Sequence, residues 1–363
     1  MKKGKERHLF PGNNTSIGFY SYYHHILPQR EANHIFCLKG GPGVGKSTFM
    51  KTIGQKMNEK GYDVEYLHCS SDPDSLDGVV FPQINISMID GTAPHVVDPI
   101  NPGAVDEIIN LGEYWNLEGI KQNKDNVINI NTEVGLLFKR AYKYVAAAKC
   151  MIDDVTDIYN RCTDLSGAVI EADSICKKLL KGKIVKKQGK ARKQFASAIT
   201  PKGIMHYIDT LYDDSFNVYL VKNNWGAGVS ALLERVADQA MIKGYNTELY
   251  YCPMEPASKV EHLIIPELKI AFISESKFYS IDIKDYTMID LCKYTDDDAV
   301  HSNSDYIELS SATSQMLLTN GVAMLFKAKQ LHDDMEKYYV PHMDFDSEIT
   351  KLQEILDRIL DMA

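Results

Sequence analysis

Lys39-Gly40-Gly41-Pro42-Gly43-Val44-Gly45-Lys46-Ser47-Thr48 decides how this chain is read. From Gly40 to Ser47 it is a complete Gly-x-x-x-x-Gly-Lys-Ser pattern. An apolar run, Ile35-Phe36-Cys37-Leu38, precedes it, and a helical pattern follows from Ser47 to about Lys60. Strand, glycine loop, Lys-Ser and helix in that order are the context in which such a loop holds phosphate. The glycines let successive backbone N–H groups face one anion, and the start of the helix adds its positive end. The sequence therefore predicts a nucleoside triphosphate, ATP in the simplest case, cradled by Gly40, Gly41, Gly43, Val44, Gly45, Lys46, Ser47 and Thr48. Lys46 would reach the β- and γ-phosphates, and the Ser47 hydroxyl would ligate Mg²⁺.

Composition sets the frame around that loop. The 363 residues exceed one ordinary domain, so two are expected. An apolar share of 44% and a charged share of 25% describe a globular protein. The net charge of −9 argues against broad nucleic-acid binding. Seven cysteines without a Cys-x-x-Cys pair point to reduced thiols. No stretch reads as a membrane span and no apolar leader follows the charged N-terminus, so a cytoplasmic protein is expected.

The sequence is also duplicated. An offset of 183 residues lays His34–Phe81 on Asn217–Ile264 without a gap, matching Lys39 to Lys222, Gly43 to Gly226, Gly45 to Gly228, Ser47 to Ser230, Gly61 to Gly244, Glu65 to Glu248 and Cys69 to Cys252. Arg7, Phe10, Gly18 and Tyr22 match Arg192, Phe195, Gly203 and Tyr207 at an offset of 185. Ala148, Lys149, Asp153, Asp154, Tyr159 and Asp164 match Ala328, Lys329, Asp333, Asp334, Tyr339 and Asp344 at an offset of 180. Such self-similarity means repeated structural units. The expected fold is α/β: two tandem phosphate-loop NTPase-like domains, 1–191 and 192–363, each a parallel sheet flanked by helices with a helical extension.

Within the first unit, strands are predicted over 34–39, 63–69 and 84–90, with helices over 47–60, 103–112, 133–160 and 168–181. The second unit repeats the plan with strands near 217–222, 247–252 and 268–274, then helices near 312–339 and 346–361. A further short strand is expected around 279–283. Strand–helix–strand order with a short crossover implies parallel pairing.

The second loop, Lys222-Asn223-Asn224-Trp225-Gly226-Ala227-Gly228-Val229-Ser230, is damaged. Its first glycine is Asn223 and its phosphate lysine is Val229. Without that charge, triphosphate binding and transition-state neutralisation both suffer. One working and one silent site is the expectation, the second half acting as a structural or regulatory copy.

A triphosphate site also needs an acid at the end of a neighbouring strand to hold Mg²⁺, and Asp90, closing Ile84-Asn85-Ile86-Ser87-Met88-Ile89, is the candidate. Lys46 and Asp90 are thus the catalytic pair, Ser47 and Asp90 the metal residues. The following residue, Gly91, is not the glutamate that would activate water. His95 or Asp98 could orient water or an acceptor, and the turn Cys69–Gly78, rich in carboxylates and hydroxyls, could recognise a polar substrate. Lys39 is expected to be a strand-end feature rather than a lysine acting across a dimer. Nine basic residues between Lys177 and Lys193 read either as a solvated linker or as the source of an arginine finger, Arg192 or its counterpart Arg7.

Several strings resemble one family: Arg7-His8-Leu9-Phe10, Gly18-Phe19-Tyr20-Ser21, the loop at 39–48, Cys69–Gly78 and Asp90-Gly91-Thr92-Ala93-Pro94-His95. They are similar to a bacterial, mainly Firmicutes, group of tandem phosphate-loop ATPases. The resemblance covers essentially the whole chain and implies ATP binding and hydrolysis. It also implies a second loop nearer to the full Gly-Lys-Ser pattern, from which Val229 departs.

The reading from sequence is Mg²⁺-dependent ATP hydrolysis at the first loop, driving a rearrangement between the halves. A small-molecule kinase and a nucleotide-gated binding protein with negligible turnover are the alternatives. The protein or small-molecule partner is not identified by the residues, and no membrane partner is implied.

Overall fold

The computed structural model describes residues 2–92, 97–181 and 187–363. The first repeat contains β1 (Glu6–Leu9), β2 (Gly12–Thr15), β3 (Gly18–Ser21), β4 (His34–Lys39), α1 (Lys46–Glu59), β5 (Val64–His68), β6 (Leu76–Phe81), β7 (Ile86–Asp90), β8 (Asp106–Asn110), α2 (Leu117–Lys121), α3 (Lys124–Arg161) and α4 (Leu165–Leu179). The second contains β9 (Ala191–Gln194), β10 (Ser197–Thr200), β11 (Gly203–His206), β12 (Asn217–Lys222), α5 (Val229–Ile242), β13 (Thr247–Tyr251), β14 (Val260–Ile265), β15 (Ile270–Ser274), β16 (Thr287–Asp290), α6 (Asp297–His301), α7 (Ser304–Glu336) and α8 (Phe345–Asp361).

The fold is α/β, and the duplication is visible in its topology. One six-stranded sheet runs β1-β5-β6-β7-β4-β8 and the other β9-β13-β14-β15-β12-β16, the same order in each repeat. The sheets are mixed, which corrects the expected parallel pairing: β6 is antiparallel to β5 and β7, and β14 to β13 and β15. Only short turns join these strands, and a short connection forces antiparallel neighbours. The 103–112 segment is the edge strand β8 rather than a helix, pairing parallel to β4. No strand forms at 279–283; β16 at 287–290 takes the edge position instead.

Each sheet is buried on both faces, which explains four consecutive buried residues in β4. Phe36 and Leu38 face helix α1, while Ile35 and Cys37 face a core shared with Val218, Ala271 and Ile273 of the other sheet. The two sheets therefore stack directly, with helices outside. A third, four-stranded sheet, β3-β2-β10-β11, takes one hairpin from each repeat.

Matched residues meet each other at this junction, as in an isologous dimer interface. Phe10 and Phe195 exchange reciprocal backbone hydrogen bonds of 3.0 and 3.1 Å. Lys149 pairs with Asp153 and, at 3.5 Å, with Glu255; Lys329 pairs with Asp333 and, at 3.5 Å, with Asp72. The long helices α3 and α7 run antiparallel, placing Ser310 on Asp154 and Gly321 beside Val145.

The outer helices are exchanged. Ile355, Leu356 and Ile359 of α8 complete the core around Phe49, Met50 and Ile53 of α1, in the other repeat. Ala168, Ala172 and Ile175 of α4 likewise complete the core around Leu232, Leu233 and Val236 of α5. Amphipathic spacing supplies these apolar faces, but the partner comes from across the chain.

Candidate functional site

The first loop joins β4 to α1. Gly43 and Gly45 hold φ of +67° and +85°, left-handed values that favour glycine. The resulting curl leaves the backbone N–H groups of Gly43, Val44, Gly45, Lys46, Ser47 and Thr48 with no acceptor among the described residues. Six neighbouring donors at a helix N-terminus form a concavity of the kind that can receive an anion.

Charge is arranged around it. Lys46 Nζ donates to the carbonyls of Gly40 and Gly41 at 2.8 and 2.9 Å and lies 3.6 Å from Asp90 Oδ2. Asp90 closes β7, the neighbour of β4, and its Oδ1 accepts from Thr92 N at 2.8 Å. The Thr92 hydroxyl in turn donates to the Gly40 carbonyl at 2.9 Å. Ser47 Oγ accepts from Leu76 N at 3.0 Å, which fixes the hydroxyl and leaves its proton and a lone pair for a ligand. Lysine, hydroxyl and carboxylate converge on the concavity, a donor set that fits a phosphate chain carrying a hard divalent cation.

The second repeat keeps the hydroxyl, as Ser230, but lacks the lysine and the acid. Val229 stands for Lys46, and the register that pairs Leu38 with Asp90 pairs Val221 with Ser274, so the acid is missing as well. The loop also uses up its own donors: Gly226 N donates to Asn223 Oδ1 at 2.6 Å, Ala227 N to Asn224 O, and Val229 N to Gly226 O. The Asn223 side chain itself bonds to the carbonyls of Val221 and Glu275.

Other predicted residues lie elsewhere. Arg7 and Arg192 are not fingers. Arg7 binds Glu65 at 2.9 Å and Glu248 at 2.5 and 3.0 Å, while Arg192 binds Glu65 at 2.6 and 2.9 Å. These matched arginines and glutamates form one network between the stacked sheets, and the guanidiniums have no reach left for a nucleotide. Lys39 ties the segment after β7, donating to Gly91 O at 2.7 Å and Asp98 Oδ1 at 2.7 Å. Asp98 is thereby engaged at the surface, and His95 lies outside the described residues.

The carboxylates of the 69–78 turn are engaged within the protein. Asp72 meets Lys329, Asp74 meets Lys202 at 2.6 Å, and Asp77 accepts from the Tyr23 hydroxyl at 2.7 Å. The basic run is likewise dispersed: Lys190 pairs with Glu31, and Lys193 lies 5.3 Å over the Tyr251 ring.

Sequence reasoning missed the second repeat's contribution to the first loop. Tyr339 flanks Gly41 together with Trp115 of the first repeat, Glu336 and Val340 flank Gly43, and Glu348 abuts Gly45. Comparing the repeats could have found Glu348. At the 180-residue offset its counterpart is Ala168, which lies beside Gly228 of the second loop.

A family model described as Nephrocystin 3, N-terminal, matches residues 20–79, a span that includes β4, the first loop and α1. No curated protein and no solved structure matches the chain. Among the described residues, no helix is long and apolar enough to cross a membrane.

Proposed function

We propose that the chain is an ATPase with one working site, in the first repeat, and that the second repeat is its structural and regulatory copy. The observation that carries this reading is the ring of six unbonded N–H groups with Lys46 and Asp90 beside it. The backbone of 43–48 would hold the phosphate chain, and Lys46 would turn from the Gly40 and Gly41 carbonyls onto the β- and γ-phosphates. Ser47 and, through water, Asp90 would hold Mg²⁺. Bound Mg²⁺ would supply neutralisation of charge across the β- and γ-phosphate oxygens. Thr92 would fix the Asp90 carboxylate toward that position.

Hydrolysis is favoured over transfer to a small acceptor, because the carboxylates of the 69–78 turn are already taken, Asp72 and Asp74 by the other repeat and Asp77 by Tyr23. Gly91, in place of a glutamate after Asp90, argues for slow turnover. The resemblance to bacterial tandem phosphate-loop ATPases agrees, and a cytoplasmic setting fits seven free thiols. The test is ATP and GTP turnover by the wild type and Lys46→Ala, with and without Mg²⁺. We expect Mg²⁺-dependent phosphate release that falls about 10²-fold or more in the variant; release that survives Lys46→Ala overturns the assignment.

A further inference from the structure

The second loop has lost its lysine at 229, yet an ammonium group still lies on it. Lys259 immediately precedes β14, where the first repeat has Ser75; the equivalence is fixed by Leu76 N and Val260 N, which donate to Ser47 Oγ and Ser230 Oγ respectively. A Cβ built on Gly226 would meet only Lys259, with Nζ at 2.6 Å and Cε at 3.0 Å. Lys259 is half-buried, and among the described residues no group lies within hydrogen-bond or ion-pair distance of its Nζ.

The carboxylates that feel its charge, Glu255 and Glu261, are occupied elsewhere. Glu255 accepts from Ser258 and pairs with Lys149; Glu261 is bonded to Cys252 and Tyr279. An ammonium left unpaired against the loop backbone is a group that an anion can take up. Lys259 opens onto a small cleft, open to solvent, whose walls include Lys149, Asp153 and Thr156 of the first repeat and Trp225, Gly226 and Glu275 of the second; Asp153 is itself paired with Lys149.

This cleft sits at the carboxyl ends of β12 and β15, where a sheet of this kind receives ligands. It exists because the repeats differ there. At the 180-residue offset, Thr156 stands where Glu336 covers Gly43 in the first repeat.

We propose that this cleft is a second, independent oxyanion site, with Lys259 supplying the charge absent at Val229. The ligand is a single phosphate group, free or carried by a small phosphomonoester, and not a triphosphate. The loop explains the limit: N–H groups of Gly226, Ala227 and Val229 are already bonded within it, so it offers only part of the backbone cradle that the first loop presents to a phosphate chain. The proposal does not depend on hydrolysis at the first loop.

The chain's two tryptophans allow a clean test, since Trp115 flanks the first loop and Trp225 belongs to the second. The full chain carrying Trp115→Phe and Lys46→Ala is titrated with inorganic phosphate, AMP and ATP while Trp225 emission is followed. We expect a saturable change with phosphate or AMP. Phosphate alone saturating at lower concentration identifies the free anion, and AMP the ester. Lys259→Ala should weaken it at least about tenfold, and Lys259→Arg should retain it. Thermal unfolding checks that both variants are folded. No saturable change up to about 10 mM ligand, an unaltered affinity in Lys259→Ala, or tighter binding of ATP than of AMP at Trp225 each overturns the proposal. The first site is read separately through Trp115 in Trp225→Phe, so failure of either assignment leaves the other standing.

Discussion

The carboxylate of Glu348 rests against the backbone of Gly45: a Cβ built there would meet Oε1 at 2.4 Å and Oε2 at 2.7 Å. The two residues belong to different repeats, and Glu348 is only 6% exposed. Burial pushes its carboxyl up to about 7. The group therefore binds its proton more tightly in the folded chain than in the unfolded one. Its favourable contribution is fully present below the ordinary carboxylate range and is lost as pH rises through about 7. Glu348→Gln should thus gain stability over wild type as pH goes from 5 to 8, by thermal denaturation; a constant difference across that range would sink the idea. Because phosphates and this carboxylate repel each other, ATP affinity should also fall with pH in wild type and stay flatter in the variant.

The network between the sheets predicts the opposite pH behaviour at Glu65. Burial alone would raise this carboxyl, but Arg192 and Arg7 together hold it down at about 2. Its contribution is present above the unfolded value and is lost as pH falls through about 2. Acid unfolding of wild type should therefore draw on Glu65 between roughly pH 4.5 and 2, and Glu65→Gln should flatten that part of the curve. Arg7→Ala strands Glu248 and should cost about 3–5 kcal/mol in denaturant unfolding. Turnover per folded molecule should hold, since Arg7 touches no part of the first loop; a large loss in kcat would revive the finger.

Restoring one lysine should not restore the second loop. Val229→Lys leaves Asn223 bonded to the Gly226 N–H and leaves Ser274 at the acid position. In a Lys46→Ala background, calorimetry should detect no ATP binding with Val229→Lys alone. Gain of binding should require Asn223→Gly and Ser274→Asp in addition. A single substitution that suffices would show that the loop's internal bonds are unimportant.

Leu356 tests the exchanged helices. It is 4% exposed and packs in the core of α1, a helix nearly three hundred residues earlier in the chain. Leu356→Ala should cost about 2–5 kcal/mol. Hydrogen exchange should accelerate in α1 and β5 while α5 keeps its protection. Loss spread evenly over both repeats would contradict the packing.

Much of this was legible in the residues and some was not. The loop, its flanking strand and helix, Asp90 and the duplication all follow from local pattern or self-similarity. Strand β6 was hidden because Asp77-Gly78 at its start looks like a turn, although Asp77 is only 2% exposed and is hydrogen-bonded to Tyr23. Strand β8 was misread because Ile108, Ile109 and Leu111 fit a helix as well as a short edge strand. The exchange of α4 and α8 has no local signature: the spacing of Ile355, Leu356 and Ile359 declares an apolar face but not the surface it meets. The interface roles of Arg7 and Glu65 were half visible, since both recur at their offsets, yet recurrence suits a dimer-like seam as well as an active site.

The exchange of helices has a consequence for how the chain is made. During synthesis the first loop and α1 emerge well before α8, so the core beneath them lacks Ile355, Leu356 and Ile359 until that helix has been made. Folding of that half must close contacts between residues far apart in the sequence, which is slow and leaves apolar surface waiting. A chain cut short before α8 would therefore carry an intact glycine motif on an unfinished domain. The arrival of α8 is what closes the core beneath the first loop.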